Sequence, residues 1–228
     1  VALVAWLFVP VTHLAPAGDV LEVVLPDGSV ATLNGGSELS HRRSFWSGRA
    51  VALEGEAFFQ VETGSRFEVL THNASVEVLG TAFNVLAWPA DGSTDVAVTE
   101  GQVRVENDQS RSLVLEAGDV AEVGSDVSAL PVDAGRRAAW RSGAVSFQDR
   151  PLGSVLDEVE RRYGIALEAA PSVPLDVRVT AYYTDRPDID ALLGDLGAAA
   201  GVRFTPTAQG YRVRASRPVA PPPPAVQS

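Results

Sequence analysis

Val51-Ala52-Leu53-Glu54-Gly55-Glu56-Ala57-Phe58-Phe59-Gln60-Val61 alternates apolar and polar residues, meets a glycine, and resumes as a second apolar run. Alternation over several residues turns one set of side chains to a buried sheet face and the other to water. A glycine inside such a pattern marks a bulge or a sharp corner. The plan returns as VEVLGTAFNV, VAVTEGQVRV and LVLEAGDVAEV, placing the glycines at Gly55, Gly80, Gly101 and Gly118. Their spacing is too uneven for a solenoid. Pro26-Asp27-Gly28, Asn34-Gly35-Gly36 and Asp91-Gly92-Ser93 supply turns between the runs. No stretch from Asp19 to Val123 offers three helical turns of apolar spacing. Residues 19–125 are therefore expected to be all-β, a two-sheet β-roll or sandwich of bent hairpins.

Beyond Val123 the pattern changes. Residues 126–137 carry Pro131 and Gly135 without a sustained period and read as a linker. Residues 138–216 read as an α+β domain. Pro151 opens a helix with Leu152, Val155, Leu156, Val159 and Tyr163 on one face, and Gly164 ends it. Pro187 opens a second helix with Ile189, Leu192, Leu193 and Leu196, ended by Gly201. Leu152, Val155, Leu156, Val159 and Gly164 are matched 37 residues later by Ile189, Leu192, Leu193, Leu196 and Gly201. The second part is thus a duplicated β-α-β unit, a small sheet covered by two helices. Residues 17–137 hold 19 acids against 8 arginines and residues 138–216 hold 10 against 9, so the charge surplus belongs to the first part.

The ends differ from both. Val1 to Val11 contains no charge but is too short to span a bilayer, for which about 20 apolar residues are needed. Residues 1–18 read as the outer end of a truncated transmembrane span and its polar exit, with residues 1–11 facing lipid and Trp6 near the interface. Residues 217–228 form a Pro-rich tail or spacer.

Composition narrows the chemistry. Of 228 residues, 29 are acids and 18 are bases, all arginine, for a net charge of −11. Such a surface repels phosphate backbones, so nucleic acid is not an expected partner. Cysteine is absent; disulfides and thiolate chemistry are excluded. His13, His41 and His72 show no metal-ligand spacing, and neither a phosphate-binding loop nor a nucleophile elbow occurs. No metal, cofactor or enzymatic activity is expected. Glu54 and Glu56 do not make the facing carboxylate pair a glycosidase needs. One chemical possibility attaches to Gly80-Thr81: in a strained turn the Thr81 hydroxyl could attack the Gly80 carbonyl, and the resulting ester could hydrolyse.

Several strings occur in a fixed order: LPDGSV from Leu25, RAVALEGEAFFQV from Arg49, Phe67-Glu68-Val69, LGTAFNV from Leu79, and Glu100-Gly101-Gln102-Val103. Together they resemble the FecR family of membrane-anchored regulators of extracytoplasmic-function sigma factors. Trp140, Gly143 to Phe147, Pro151-Leu152 and Glu160 to Ile165 are similar to the carboxy-terminal domain of many FecR-like proteins, itself related to the short secretin/TonB amino-terminal fold. The resemblance implies a single-pass inner-membrane anti-sigma factor whose periplasmic part receives a signal from the signalling domain of a TonB-dependent outer-membrane transporter. The sigma factor would be bound by a cytoplasmic segment not present in these residues. A secreted or envelope-anchored β-rich binding module without sigma regulation is the alternative.

Partners that dock by adding a strand need an open sheet edge. Two strands are candidates. One carries Val177, Val179, Ala181 and Tyr183 on one face. The other carries Tyr211, Arg212, Val213 and Arg214, with its arginines outward.

Overall fold

Glycines decide where this chain changes direction, and the result is a pair of β-layers. The computed structural model describes residues 9–46 and 48–216. Its first part comprises β1 (Pro10–Leu14), β2 (Leu21–Val24), β3 (Val30–Leu33), β4 (Glu38–Arg42), β5 (Arg49–Gln60), β6 (Phe67–Leu70), β7 (Ala74–Val78), β8 (Ala82–Ala87), β9 (Thr94–Glu100), β10 (Gln102–Asn107), β11 (Ser112–Glu116), β12 (Val120–Val123) and β13 (Val127–Leu130). One layer runs β1-β4-β5-β6-β7-β10-β11 and the other β2-β3-β5-β8-β9-β12-β13. Both share β5, which pairs with β4 up to Glu54 and with β3 and β8 beyond it.

Gly55 is the corner. Its φ is +114° and a Cβ there would lie 2.5 Å from Ser37 Oγ. That hydroxyl clamps the bend, accepting from the Glu56 amide at 2.9 Å and donating to the Glu56 carbonyl at 3.0 Å. Gly80, Gly101 and Gly118 stand at the β7–β8, β9–β10 and β11–β12 junctions, where the chain passes from one layer to the other. Phe59, Phe67 and Phe83 fill the space between layers, with Phe59 and Phe83 centroids 5.2 Å apart.

The second part follows a short helix, α1 (Ala134–Ala138). It contains β14 (Val145–Pro151), α2 (Leu152–Tyr163), β15 (Ala166–Ala169), β16 (Arg178–Tyr183), α3 (Ile189–Ala200), β17 (Val202–Pro206) and β18 (Gly210–Ala215). β14 pairs with β16, while β15 runs parallel and β17 antiparallel to β18. The apolar faces read from the sequence are buried: Leu152, Val155, Leu156 and Val159 on α2, and Leu192, Leu193 and Leu196 on α3. Gly164 and Gly201 end the two helices with φ of 66° and 67°, so the repeat extends to their left-handed caps. The fold is mainly β with an α+β unit, as the patterning implies.

Three sequence expectations are corrected. Residues 10–14, assigned to the end of the lipid-facing run and the start of the exit, form β1, with Val11 opposite His41 and Val11 and His13 half-buried. Pro10 is tolerated because it opens an edge strand, where no ladder donor is required. The expected lipid-facing run therefore ends before Pro10; residues 1–8 lie outside the described residues, as does the Pro-rich tail. Residues 126–137 are not a structureless linker: β13 pairs with β12, and Asp133 caps α1 by accepting from the Arg136 amide at 2.8 Å. α1 is also a helix beyond the two expected. Among the described residues, no helix is long and apolar enough to cross a membrane.

Replacing Gly55 with alanine should lower stability by about 2 kcal/mol or more, since backbone strain and the Ser37 clash add. Gly124→Ala, where nothing lies within 4 Å of the new Cβ, should stay within about 0.5 kcal/mol. Urea unfolding of the two variants checks this. Equal losses would contradict the corner's role.

Candidate functional site: the contact between the β-layers and the duplicated unit

Past Gly55 the alternation of β5 continues in the second layer. Ala57 and Phe59 point into the core between the layers, and Glu56 and Phe58 point to the outer face of the second layer. Asn84 lies opposite Phe58, and Leu86 opposite Glu56, on β8. α1 and the turn after it cover this face. Ala138 and Trp140 pack on Phe58, and Ala134 packs on Ala97 and Val120. The Trp140 indole donates to Asn84 Oδ1 at 2.8 Å. The Arg141 guanidinium sits 3.5 Å from the Phe58 ring centroid, a cation–π contact.

Glu56 is buried at the centre of this cover. Asn34 and Asn84 donate to its two carboxylate oxygens at 2.7 and 3.0 Å. Burial, and then the charge of Glu158 on α2, push its pKa up to about 7, against the opposing pull of Arg162 and the two amides. Glu158 accepts from Arg150 at 2.5 Å and from Arg162 at 3.4 Å. Arg150 also reaches Asp91 of the first part at 3.0 Å, so one guanidinium joins the two cores. Arg162 donates onward to the Ala144 carbonyl at 2.6 Å. Nearby, Arg137 pairs with Asp95 at 3.1 Å, and burial raises the Asp95 pKa despite that partner.

A second seat lies at the end of α2. The Arg161 carbonyl accepts from the Gly18 amide at 2.7 Å, and its guanidinium stacks 3.8 Å from the Trp88 centroid. Any Cβ on Gly35 would approach the Arg161 carbonyl to 2.6 Å, while Gly36 packs on the Arg161 side chain. The Asn34-Gly35-Gly36 turn is thus also the floor on which the helix end rests.

The sequence-derived site residues fare unevenly. β16 keeps its expected two faces: Val179 is buried, Val177, Ala181 and Tyr183 are partly buried on the same core, and Arg178, Thr180 and Tyr182 are exposed. It pairs only with β14, so its far edge has no ladder partner among the described residues. β18 is corrected. It is the central strand between β15 and β17, so both its edges are occupied and strand addition at Tyr211, Arg212, Val213 or Arg214 has no free ladder to use. Its hairpin with β17 and its parallel pairing with β15 consume the groups the proposal needed. Arg212 pairs with Glu168, and Arg214 stands opposite Arg203. Tyr211 donates to Asp190 and Tyr183 to Asp195, which ties both strands to α3. Burial and the Asp195 contact push the Tyr183 hydroxyl up to about 12.

Thr81 is buried, and its hydroxyl donates to the Gln102 carbonyl at 3.0 Å. Gly80 leaves no room for a side chain, since a Cβ would lie 2.9 Å from Thr63 Cα. In this arrangement the hydroxyl joins two strand corners, and an attack on the Gly80 carbonyl requires it to release Gln102. Glu54 is exposed and Glu56 buried, so the bend separates two acids that a regular strand would place on one face. His13 and His41, far apart in sequence, meet with Nε2 atoms 3.1 Å apart. No group of three or more metal-ligating residues forms among the described residues. The network of Glu56, Arg150, Glu158 and Arg162 was not singled out from the sequence. The usable signals were Trp140 and Pro151 in ordered strings and a strand whose acid follows a corner glycine.

The architecture is thus two β-layers clasped to a duplicated β-α-β unit. Residues 12–104 match the family model described as FecR protein, and it is to this family that the first part of the chain is similar. A protein of Parabacteroides distasonis ATCC 8503, described as "a putative anti-sigma factor", has a crystal structure at 2.50 Å with TM-score 0.84 and 29% identity. The alignment covers 91% of this chain and 99% of that one. A second structure under the same description, at 1.65 Å, gives 0.83 and 29%, over 90% and 99%. No curated protein sequence matches the chain.

The raised pKa of Glu56 makes a directional prediction. Its carboxyl is held protonated in the fold more readily than in the unfolded chain, whose value is 4.5. The stabilisation is fully present below pH 4.5 and disappears as pH rises through about 7. Relative to Glu56→Gln, the parent should therefore lose up to a few kcal/mol across that interval. Paired urea titrations at several pH values measure the difference. Parallel profiles would contradict the buried, proton-holding state of Glu56.

Proposed function

We propose that the chain is the periplasmic sensor part of a FecR-like transmembrane anti-sigma factor, relaying a signal from a TonB-dependent outer-membrane transporter to an extracytoplasmic-function sigma factor. The observation that carries this reading is the match of residues 12–104 to the FecR model together with a likeness of 29% identity over nine-tenths of the chain to a structure described as "a putative anti-sigma factor". A sigma factor is the partner such a regulator implies, bound through a cytoplasmic segment outside these residues. Membrane anchorage fits the uncharged run at residues 1–8. The duplicated unit would be the receiver, because β16 offers an unpaired edge to an incoming strand. The contact through Arg150, Glu158 and Glu56 would then pass a displacement of that unit to the β-layers. The reaction is association, and no residue in it needs to be a catalyst.

Calorimetric titration of the chain with a transporter signalling domain tests the receiver. Successive residues of a strand send their amides to opposite edges. Proline at Thr180 and proline at Ala181 therefore remove one donor facing β14 and one facing outward. The variant that keeps its circular dichroism is the informative one, and it should bind about tenfold weaker or less tightly still. Parent-like affinity in that variant would move the contact off β16.

A further inference from the structure

Trp46 is 91% exposed. An indole is a large apolar body with one polar N–H, and such rings settle at the boundary between headgroups and water. The loop that carries it is fixed from within. Phe45 turns inward, its ring centroid 5.9 Å from His41 and 6.1 Å from Phe67, and the Gly48 amide donates to the Phe45 carbonyl at 3.1 Å. Phe45 holds the loop to the core while Trp46 stands out from it.

The surroundings identify the kind of surface this tryptophan meets. Arg42 and Arg43 precede the loop and are exposed, in a protein whose net charge is −11. Pro10, the first residue of β1, pairs in register with Arg42. The preceding Val9 is 45% exposed, and residues 1–8 read VALVAWLF without a charge. The exposed Val9, a protruding indole and two guanidinium groups thus come together at the end of the β-layers where β1 begins.

We propose that this end of the protein lies on a phospholipid surface, with Trp46 at headgroup level and Arg42 and Arg43 against anionic headgroup phosphates. Guanidinium groups suit phosphate oxygens geometrically, and a negative leaflet attracts basic residues close to it. The acid surplus elsewhere on the β-layers is repelled by the same charge, so the contact also orients them on the surface. This rests on the reading that residues 1–8 run toward a bilayer, and the test separates the two.

The full chain is mixed with phosphatidylcholine–phosphatidylglycerol vesicles whose acyl chains carry bromine close to the headgroups, a short-range quencher of tryptophan. Trp6→Phe removes the signal of the N-terminal run. Trp88 and Trp140 are held in the contact with the duplicated unit. The Trp6→Phe chain should float with the vesicles and lose up to about one third of its emission, Trp46 being one of the three tryptophans left. Trp6→Phe/Trp46→Phe should float and lose none. Quenching that is absent in the first variant, or that survives in the second, overturns the proposal while flotation leaves the anchoring reading intact. A chain that does not float overturns both. Quenching that is undiminished on pure phosphatidylcholine overturns the part assigned to Arg42 and Arg43.

Discussion

Arg150 carries a single positive charge into the contact between two separately packed cores, and the arrangement of the molecule depends on it. One side of its guanidinium meets Glu158 of α2 and the other meets Asp91 of the β-layers, with side-chain exposures of 11%, 9% and 17% for the three groups. Exposed ion pairs contribute little, because water already solvates both members. Here the charges are out of water, so the pairing is needed to offset their desolvation, and loss of one member leaves the others unpaired. Glu56 adds a third acid to a cluster whose cations are Arg150 and Arg162. The elevated pKa of Glu56 follows first from its burial and then from the charge of Glu158, with Arg162 and the two amides pulling the other way.

Backbone geometry makes this contact possible. Glu54 and Glu56 both point away from the core, and the bend at Gly55 assigns them to different layers, Glu56 to the one that α1 covers. Gly35 admits the end of α2 to a distance that any side chain would forbid. Trp88 and Trp140 cover the two ends of the contact, one under Arg161 and one bonded to Asn84. The duplicated unit is therefore joined to the β-layers by side chains and close backbone approach together. A force on it has a defined route through α2 to β5 and β8, and this is the physical content of a relay.

The two periodicities were readable because they are local. Alternation around Val51 to Val61 gave the layers, the four glycines marked where strands change layer, and the 37-residue repeat gave α2 and α3 with their caps. Errors came where a local pattern had two physical explanations. Val11 and His13 are apolar enough for a membrane exit and alternate enough for an edge strand, and only the partner β4 decides between them. Residues 126–137 lack a period because β13 has only four residues and α1 only five. The contact itself was illegible. Glu56, Asp91 and Arg150 are separated by tens of residues, and charge pairing at such range leaves no spacing in a sequence. The same limit hid the meeting of His13 with His41 and the central place of β18, whose arginines look like those of an edge.

The central claim is that Arg150 couples the two cores. Urea unfolding followed by tryptophan emission, to which Trp88 and Trp140 contribute from the contact, and by far-ultraviolet circular dichroism tests it most directly. The parent should unfold in one transition seen alike by both probes. Arg150→Ala should be weaker by about 3 kcal/mol, with the emission change preceding the loss of secondary structure. A variant that unfolds in a single transition at the parental midpoint would contradict the account.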